Sequence, residues 1–308
     1  MMRIFTLTLS PAFDNYCYSE RFALNEENLV QSDGCVAGGK GINITRALFE
    51  AQITSTAIAL LGKDGGEQFE RQVTSKGIKL LPIWCDGKIR ENITVATPLG
   101  ETRISFAGPS VEISVLKGIF DDLQKHVNSG DVLTVTGRLP QGITAMQIMP
   151  YLKELNCKGI LLVIDSKSFT LADLLELSPW LIKPNEQEVV SYCSKSIETL
   201  DDALLIAKEL HNNGIANVMI SLGYKGAVLV NEDGAFACKA PSLTPRSTVG
   251  AGDSSIAGFL AAHYYGQSSV EKLKLSVAFG SAACLTESSL PPRQTDIQEI
   301  YKTITPHC

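Results

Sequence analysis

The sequence predicts an α/β protein with a mostly parallel central sheet, helices packed around that sheet, and a small β lid. Three observations support this prediction. Short apolar segments alternate with longer segments of helical periodicity, two regions of alternating polar and apolar residues interrupt the series, and one turn signal indicates a hairpin. Alternating strands and helices are typical of parallel sheets, because helices form the crossovers between parallel strands. A chain of 308 residues is long enough for one large domain with an accessory element.

Six short segments rich in apolar and β-branched residues are predicted to be buried strands. They cover residues 4–9, 57–61, 132–136, 161–165, 181–183 and 218–222. Six longer segments have the periodicity of helices. They cover residues 66–76, 112–127, 143–155, 200–213, 252–264 and 269–286. The order of these elements predicts helices on both faces of the sheet.

Two regions break this order and predict the lid. Residues 14–36 and 84–106 alternate between polar and apolar positions, with no helix between them. They are expected to form antiparallel strands or exposed hairpins at the edge of the sheet. Residues 227–238, centred on Asn-Glu-Asp-Gly, predict a separate β-hairpin. The expectation is a single domain, residues 1–308, with a discontinuous lid.

Composition and charge exclude several classes of function. The formal net charge is -6, so the sequence lacks the basic surface that nucleic-acid binding requires. No apolar run reaches the length of a membrane span and no signal peptide is evident, so a cytoplasmic protein without membrane partners is expected. The eight cysteines form no C-x-x-C pair and have no suitably spaced histidine, which indicates neither a zinc site nor a redox dithiol.

Residues 248–253 are the most informative segment for chemistry. Gly250 and Gly252 precede an apolar helix and allow the backbone to approach a ligand closely. The first N–H groups of that helix, with its macrodipole, predict a site for developing phosphate charge. Asp253 lies at the same place and is predicted to be the general base for a bound hydroxyl. The alternative is that Asp253 only caps the helix.

Residues 34–43 almost fit a nucleotide-binding P-loop. Gly41, however, stands where that loop needs Ser or Thr for Mg²⁺, so a Walker-type enzyme is not expected. The glycines still allow a close approach to a polyol, and Lys40 and Asn43 offer a charge and an amide for hydroxyls or phosphate. A flexible glycine-rich turn explains the segment equally well when it is considered alone.

Two further segments are candidates for nucleotide and metal binding. Asn185 and Glu188 lie three residues apart at a predicted helix start, where they could organise Mg²⁺ or its waters, or form a capping box, or do both. Residues 221–226 follow a strand, and their glycines permit the close approach of a nucleotide at the end of the sheet. A plain tight turn is the competing explanation.

Four polar residues in or beside the lid complete the candidates. They are Arg90, Asn92, Arg103 and Arg138. Guanidinium groups suit phosphate, although most arginines are solvated surface residues. Arg90 and Arg138, with Lys40, are predicted to hold a substrate phosphate.

Together these segments resemble the PfkB (ribokinase-like) family of carbohydrate kinases. Residues 6–14 (TLTLSPAFD) are similar to the start of the family's phosphofructokinase branch. Residues 38–43 (GGKGIN) and 247–254 (STVGAGDS) resemble its two signatures. Residues 183–188 and 221–226 match its intervening Mg²⁺ and ATP motifs. The matching segments keep the family's order and spacing over nearly the whole chain.

The resemblance implies a ribokinase-like three-layer sandwich and assigns roles to individual residues. Asp253 would be the catalytic base, with Gly250, Ala251 and Gly252 forming the anion hole. The implied substrate-binding residues are Asp14, Gly38, Gly39, Lys40, Asn43, Arg90, Asn92 and Arg138. The implied ATP-binding residues are Lys183, Asn185, Ser221, Gly223, Gly226, Thr248, Gly250 and Gly252. Asn185 and Glu188 would hold Mg²⁺ through water.

The activity that the resemblance implies is ATP-dependent phosphorylation of a ketohexose phosphate by a homodimer joined through the lid. Fructose 1-phosphate, converted to fructose 1,6-bisphosphate, is the expected substrate, with tagatose 6-phosphate or fructose 6-phosphate as alternatives. Two departures bear on this choice. Residues 136–140 read Thr-Gly-Arg-Leu-Pro where the branch has Ser-Gly-Ser-(Leu/Ile)-Pro, and residues 89–92 match its Thr-Arg-x-Asn loosely. Arg138 is expected to add a phosphate donor or to reshape the pocket.

Three other functions compete with this prediction. A catalytically inactive sugar-phosphate sensor is disfavoured because Asp253, its flanking glycines and Glu188 are all present. A kinase for a free sugar or nucleoside is disfavoured by the arginines of the predicted pocket. A dinucleotide-dependent dehydrogenase is remote, because no G-x-G-x-x-G follows the first strand.

Overall fold

A computed structural model describes residues 2–193, 196–287 and 289–307. The strands of these residues are β1 (Ile4–Thr8), β2 (Ala12–Tyr18), β3 (Gln31–Gly38), β4 (Thr56–Gly62), β5 (Lys79–Lys88), β6 (Arg90–Thr97), β7 (Gly100–Ser105), β8 (Val132–Thr136), β9 (Leu161–Asp165), β10 (Leu181–Ile182), β11 (Asn217–Ser221), β12 (Ala227–Asn231), β13 (Gly234–Cys238) and β14 (Pro306–His307). The helices are α1 (Lys40–Glu50), α2 (Lys63–Thr74), α3 (Ile113–His126), α4 (Ala145–Cys157), α5 (Leu171–Leu177), α6 (Glu186–Cys193), α7 (Leu200–Asn212), α8 (Ala251–Tyr264), α9 (Ser269–Ala283) and α10 (Gln294–Thr303).

Ten of the described strands form one large sheet. Their order is β14-β13-β12-β11-β10-β9-β8-β1-β4-β5. Seven neighbouring strands of this sheet run parallel, namely β11, β10, β9, β8, β1, β4 and β5. The remaining strands, β12, β13 and β14, form an antiparallel margin. The parallel strands therefore all end at the same edge of the sheet. Open α/β sheets bind their ligands at that edge.

Helices cover both faces of the large sheet. On one face, α1, α8, α9 and α10 share a core with Val132 and Val163 of the central strands. On the other face, α3 to α7 share a core with Leu133 and Ile164. Neighbouring residues of one strand thus point to opposite faces, as the two-residue period of a strand requires. The result is the predicted arrangement of helices around a mostly parallel sheet.

Four strands form a second sheet, which we call the small sheet. Their order is β3-β2-β6-β7, with β2 antiparallel to β3 and parallel to β6. The chain enters β2 shortly after β1 ends, and β3 leads into α1. The small sheet therefore joins the large sheet at the edge where the parallel strands end.

Each predicted strand and helix is present, and its bounds differ from the prediction by three residues or fewer. The predicted hairpin consists of β12 and β13. Among the described residues, none of the helices combines the length and the apolar character needed to cross a lipid bilayer.

Helix α1 is the main element that the sequence did not predict. Residues 38–43 were expected to form a turn or ligand loop, but the helix begins at Lys40. Gly41 lies in its first turn and lowers the intrinsic helix propensity. Burial of Ile44 and Leu48 in the core outweighs that loss, because packing of an apolar face supplies most helix stability in proteins. Helices α5 and α10 were not predicted either.

The predicted lid segment 84–106 is divided between the two sheets. Residues 84–88 belong to β5, which pairs with β4 in the large sheet, and only β6 and β7 lie in the small sheet. β5 is an edge strand with Pro82 in its interior, a residue that strands tolerate only at an edge or a bulge. Its partly exposed pattern resembles that of a lid strand, which explains why the two were not separated.

Candidate active site

The predicted site residues gather at the edge where the parallel strands end. Asp165 ends β9, Lys183 follows β10 and Ser221 ends β11. The first turns of α1 and α8 reach the same place, since Asn43 contacts Asp253 there. Segments that are far apart in sequence thus form one site, with the positive ends of two helix dipoles pointing into it.

Asp253 lies in the first turn of α8 and is buried, with 6% of its surface exposed. Its Oδ2 accepts a hydrogen bond of 2.8 Å from Asn43 Nδ2. The residue that caps α8 is Gly250, whose φ of 82° is a left-handed conformation that glycine adopts without strain. The alternative that Asp253 only caps the helix is therefore wrong, and its carboxylate is available for chemistry.

Burial raises the pKa of Asp253 to about 6. The Lys40 ammonium opposes this effect, and the Asp165 carboxylate reinforces it. A carboxylate with such a pKa is a stronger base than an exposed one, yet it is still largely ionised at pH 7. Asp253 is therefore suited to accept a proton from a bound hydroxyl.

Asp165 organises two lysines beside Asp253. Its Oδ2 lies 2.8 Å from Lys40 Nζ, and its Oδ1 lies 4.0 Å from Lys183 Nζ. Burial acts to raise the pKa of Asp165, but Lys183 and Lys40 outweigh it and lower that pKa. Burial acts to lower the pKa of Lys40, but Asp165 and Asp253 outweigh it and raise that pKa. Lys40 therefore stays protonated.

Lys183 and the first turn of α8 form a candidate anion site. A Cβ placed on Gly252 would lie 3.1 Å from Lys183 Nζ, so the lysine reaches the N-terminus of the helix. The Ala251 N–H donates to Thr248 O over a long 3.4 Å. The first N–H groups of a helix have no acceptor within it. An anionic oxygen here would meet the N–H groups of Gly252 and Asp253 and the lysine charge.

Asp14 of β2 is the centre of a second charged group, on the small sheet. Its Oδ1 accepts hydrogen bonds from Asn92 Nδ2 at 2.6 Å and from Arg103 Nη2 at 3.0 Å. Its Oδ2 faces Gly38, where any Cβ would overlap the carboxylate. Because Oδ1 already has two donors, Oδ2 is the oxygen best placed to accept a ligand hydroxyl.

Arg90 and Arg103 lie beside this carboxylate, and Arg138 lies near Arg90. Arg90 donates to Asn92 Oδ1 over 3.0 Å and to a backbone carbonyl. Burial lowers the pKa of Arg90, and Asp14 opposes this effect. The like charges of Arg138 and Arg103 lower that pKa further, so both of these guanidinium groups lie close enough to act on Arg90. Such a cluster suits a doubly charged phosphate.

Asn185 and Glu188 form the capping box that the sequence allows. The Asn185 N–H donates to Glu188 Oε2 over 3.0 Å, and the Glu188 N–H donates to Asn185 Oδ1 over 2.9 Å. Glu188 Oε1 is buried and has no hydrogen-bond partner among the described residues. A buried carboxylate oxygen without a donor fits a bound Mg²⁺ ion or one of its waters.

The predicted nucleotide residues line the same edge of the sheet. The Ser221 N–H donates to a backbone carbonyl just before Asn185, over 3.1 Å. Gly223 is exposed, whereas Gly226 packs tightly against β13 and shapes the turn. Thr248 is exposed in the segment before α8. The turn formed by residues 221–226 therefore lies beside the Asn185–Glu188 pair.

Two members of the site were not among the predicted site residues. The first is Asp165, whose only signal was a charge at the end of an apolar strand. The second is Arg103, a lid arginine whose sequence context predicts no specific role. Lys40 lies with Asp165 and Asp253, and the arginines form a separate group. The two groups combine a base, an anion site and a hydroxyl acceptor, which together suit phosphoryl transfer to an alcohol.

Comparisons with known proteins agree with this class of chemistry. The profile of the pfkB family of carbohydrate kinases matches residues 9–296. The 1-phosphofructokinase of Haemophilus influenzae is 31% identical over 94% of this chain and 93% of its own. The 1-phosphofructokinase of Escherichia coli is 32% identical over 91% of this chain and 90% of its own. The crystal structure of phosphofructokinase-2 from Escherichia coli in complex with substrates and products has a TM-score of 0.92 at 26% identity, covering 98% of this chain and 99% of the other.

The chain therefore belongs to the pfkB family of carbohydrate kinases. Members of this family use ATP to phosphorylate a sugar, and the same activity follows for this chain.

The pKa of Asp253 predicts how the reaction depends on pH. Only the ionised carboxylate accepts a proton, so kcat/KM should fall as the pH falls through about 6. The hydrogen bond from Asn43 lowers that pKa, so Asn43→Leu should move the acidic limb to higher pH. The measurement is kcat/KM for an accepted sugar between pH 5 and pH 9.

A control on the same helix isolates the Asn43 contact. Thr45 bonds to Thr6 and not to Asp253, so Thr45→Val should leave the limb in place. Phosphate monoesters also titrate near pH 6, so the displacement in the variant identifies the enzyme group. An acidic limb that does not move in Asn43→Leu contradicts the assignment.

Proposed function

We propose that this kinase transfers the γ-phosphoryl group of ATP to fructose 1-phosphate and forms fructose 1,6-bisphosphate. The observation that carries the proposal is the charged group on the small sheet, in which Arg103 bonds to Asp14 and Arg90 lies near Asp14, Arg103 and Arg138. A pocket with one carboxylate and three guanidinium groups suits a sugar that already bears a phosphate. The two curated relatives described above are both named 1-phosphofructokinase, which favours this sugar phosphate.

In the proposed reaction, the substrate phosphate lies among the arginines and Asp14 Oδ2 accepts a hydrogen bond from a sugar hydroxyl. The C6 hydroxyl then faces Asp253. As its oxygen bonds to the γ-phosphorus, Asp253 takes the hydroxyl proton and the bond to the bridging oxygen of ADP breaks. Lys183 and the first N–H groups of α8 stabilise charge on the transferred phosphoryl group.

ATP would lie along the exposed turn after β11, and its γ-phosphate would reach the anion site. Asn185 and Glu188 are the residues that would hold Mg²⁺, through water. When bound, that ion supplies positive charge that offsets the charge of the ATP phosphates. Lys40, fixed by Asp165, adds a second positive charge beside Asp253.

The small sheet is proposed to act as a lid and as a dimer contact. Closure over the sugar would exclude water and suppress ATP hydrolysis. Its outer surface and the connecting segment expose large apolar residues, a feature typical of interaction surfaces. They are Leu24, Leu29, Leu99, Ile104 and Phe106. We expect two copies of the chain to pair here, and a monomer mass by light scattering at every protein concentration would contradict this.

A cytoplasmic location is part of the same proposal. Cys17, Cys35 and Cys85 are free thiols, which are stable in a reducing compartment.

A panel of acceptors tests the substrate. ADP release with Mg·ATP should be fastest with fructose 1-phosphate, with kcat/KM at least about tenfold above that for tagatose 6-phosphate or fructose 6-phosphate. Free hexoses, ribose and a nucleoside should react more slowly still, because they leave the arginines without an anion. If another ketose phosphate reacts fastest, that sugar phosphate is the substrate and fructose 1-phosphate is not. Turnover on free sugars alone would refute the phosphate pocket.

Arg138→Ser provides the control for the phosphate pocket in this panel. The variant restores the serine of the branch pattern and removes one guanidinium group. It should raise the KM for the preferred sugar phosphate and leave the KM for ATP unchanged. A sugar-phosphate KM that does not change removes Arg138 from the proposed pocket.

Glu188 allows a separate test of the metal site. Glu188→Gln keeps the shape of the side chain and removes its charge, so the Mg²⁺ concentration for half-maximal rate should rise about tenfold or more. Glu186→Gln is the matched control, because Glu186 lies on the same helix and pairs with Lys225. An equal Mg²⁺ requirement in wild type and Glu188→Gln would refute the proposed site.

A further inference from the structure

Helix α1 carries three polar side chains at a spacing of three residues, and each binds a different part of the molecule. Lys40 bonds to Asp165 at the end of β9. Asn43 bonds to Asp253 at the start of α8. Arg46 bonds to the backbone of β3 in the small sheet. Residues at this spacing lie on one side of a helix, so α1 connects the base, the cation and the small sheet.

Arg46 is the member of this series that has no role in the reaction described above. Only 4% of its surface is exposed. Its Nη2 donates to Ala37 O over 2.6 Å, whereas Nε and Nη1 have no partner among the described residues. A buried guanidinium group with so few partners is costly to the fold. Stability alone therefore gives a poor explanation for an arginine at this position.

The residue that Arg46 holds lies next to the sugar site. Ala37 is buried and pairs with Phe13 of β2, and its N–H donates to Gln72 Oε1 of α2 over 2.8 Å. Side chains of two helices thus bind both polar backbone groups of Ala37. The following residue is Gly38, where any Cβ would overlap the Asp14 carboxylate. A shift of Ala37 would therefore be passed directly to Asp14.

The charges of this group also favour such a role. Burial lowers the pKa of Arg46 to about 10, and the Asp14 carboxylate opposes this effect. Asp14 is therefore close enough to interact with the Arg46 guanidinium group. Arg103, which does bond to Asp14, has a side chain that is 45% exposed, so water screens its charge. Of the two arginines Arg46 and Arg103, Arg46 is the buried one.

We propose that Arg46 is a positioning residue for sugar binding: through Ala37 and through its charge, it holds the Asp14 carboxylate at a fixed place relative to Asp253. The inference rests on the proposed role of Asp14 as the acceptor of a sugar hydroxyl. Since α1 binds Asp253 through Asn43 and Ala37 through Arg46, the helix sets the separation between the group that holds the sugar and the group that deprotonates it. Small errors in that separation are costly to phosphoryl transfer.

Replacement by methionine separates this role from a purely structural one. Met has a similar length, so the exchange removes the hydrogen bond to Ala37 O and the charge near Asp14 while keeping much of the side-chain volume. In Arg46→Met, the KM for the sugar should rise at least about tenfold, while the KM for ATP stays within about twofold. Circular dichroism and the unfolding temperature establish that the variant is folded at the assay temperature. Arg46→Lys keeps the charge and should recover part of the sugar affinity.

The kinetic assay uses whichever sugar the wild-type enzyme accepts best, so it stands even if that sugar is not fructose 1-phosphate. Arg71→Met is the matched control, because Arg71 is an exposed arginine of α2 and its loss should change neither KM. An unchanged sugar KM in folded Arg46→Met, or equal increases in both KM values, overturns the proposal. If Arg46→Met does not fold, Arg46→Lys and Arg46→Gln are measured, and an unchanged sugar KM in both overturns it.

Discussion

The buried contact between Asn43 and Asp253 is the interaction on which the rest of the site depends. It joins the first turn of α1 to the first turn of α8, across 210 residues of sequence. A buried carboxylate is costly unless donors and positive charges compensate it, and α1 supplies both through Asn43 and Lys40. Lys40 in turn is held by Asp165 at the end of β9. The same helix therefore orients the proposed base, Asp253, and favours its ionised form.

Much of the fold follows from the sequence because its core strands are short, apolar and separated by clear helical periodicity. The strands 132–136 and 161–165 were predicted with the bounds that the structure shows. The failures have local causes. Gly41 in the first turn of α1, which begins directly after Gly38 and Gly39, hides a helix that is held by its buried apolar face. The edge position of β5 makes this strand resemble a strand of the small sheet. In both cases, tertiary packing outweighs the local pattern.

The sequence predicts which segments form the site, but it does not predict which of their side chains contact each other. The motif around Asp253 indicated a base beside a helix N-terminus, and Gly38 and Asp14 were both expected to bind sugar. No sequence pattern shows that Lys40 pairs with Asp165, because that contact depends on the adjacency of β9 and α1 in the fold. Sequence-based reasoning also placed Lys40 with the arginines, since all were cations near one expected phosphate. Only the folded structure shows that Lys40 lies with Asp165 and Asp253, whereas the arginines lie with Asp14.

In the proposed reaction, Asp253 removes the proton from the attacking hydroxyl. Single-turnover transfer from ATP to the preferred sugar substrate by Asp253→Asn, measured alongside sugar binding by calorimetry, tests it most directly. Asn keeps the shape of the side chain and loses its basicity. We expect a sugar Kd within about threefold of wild type and a transfer rate lower by at least about 100-fold. A transfer rate close to that of the wild-type enzyme would contradict it.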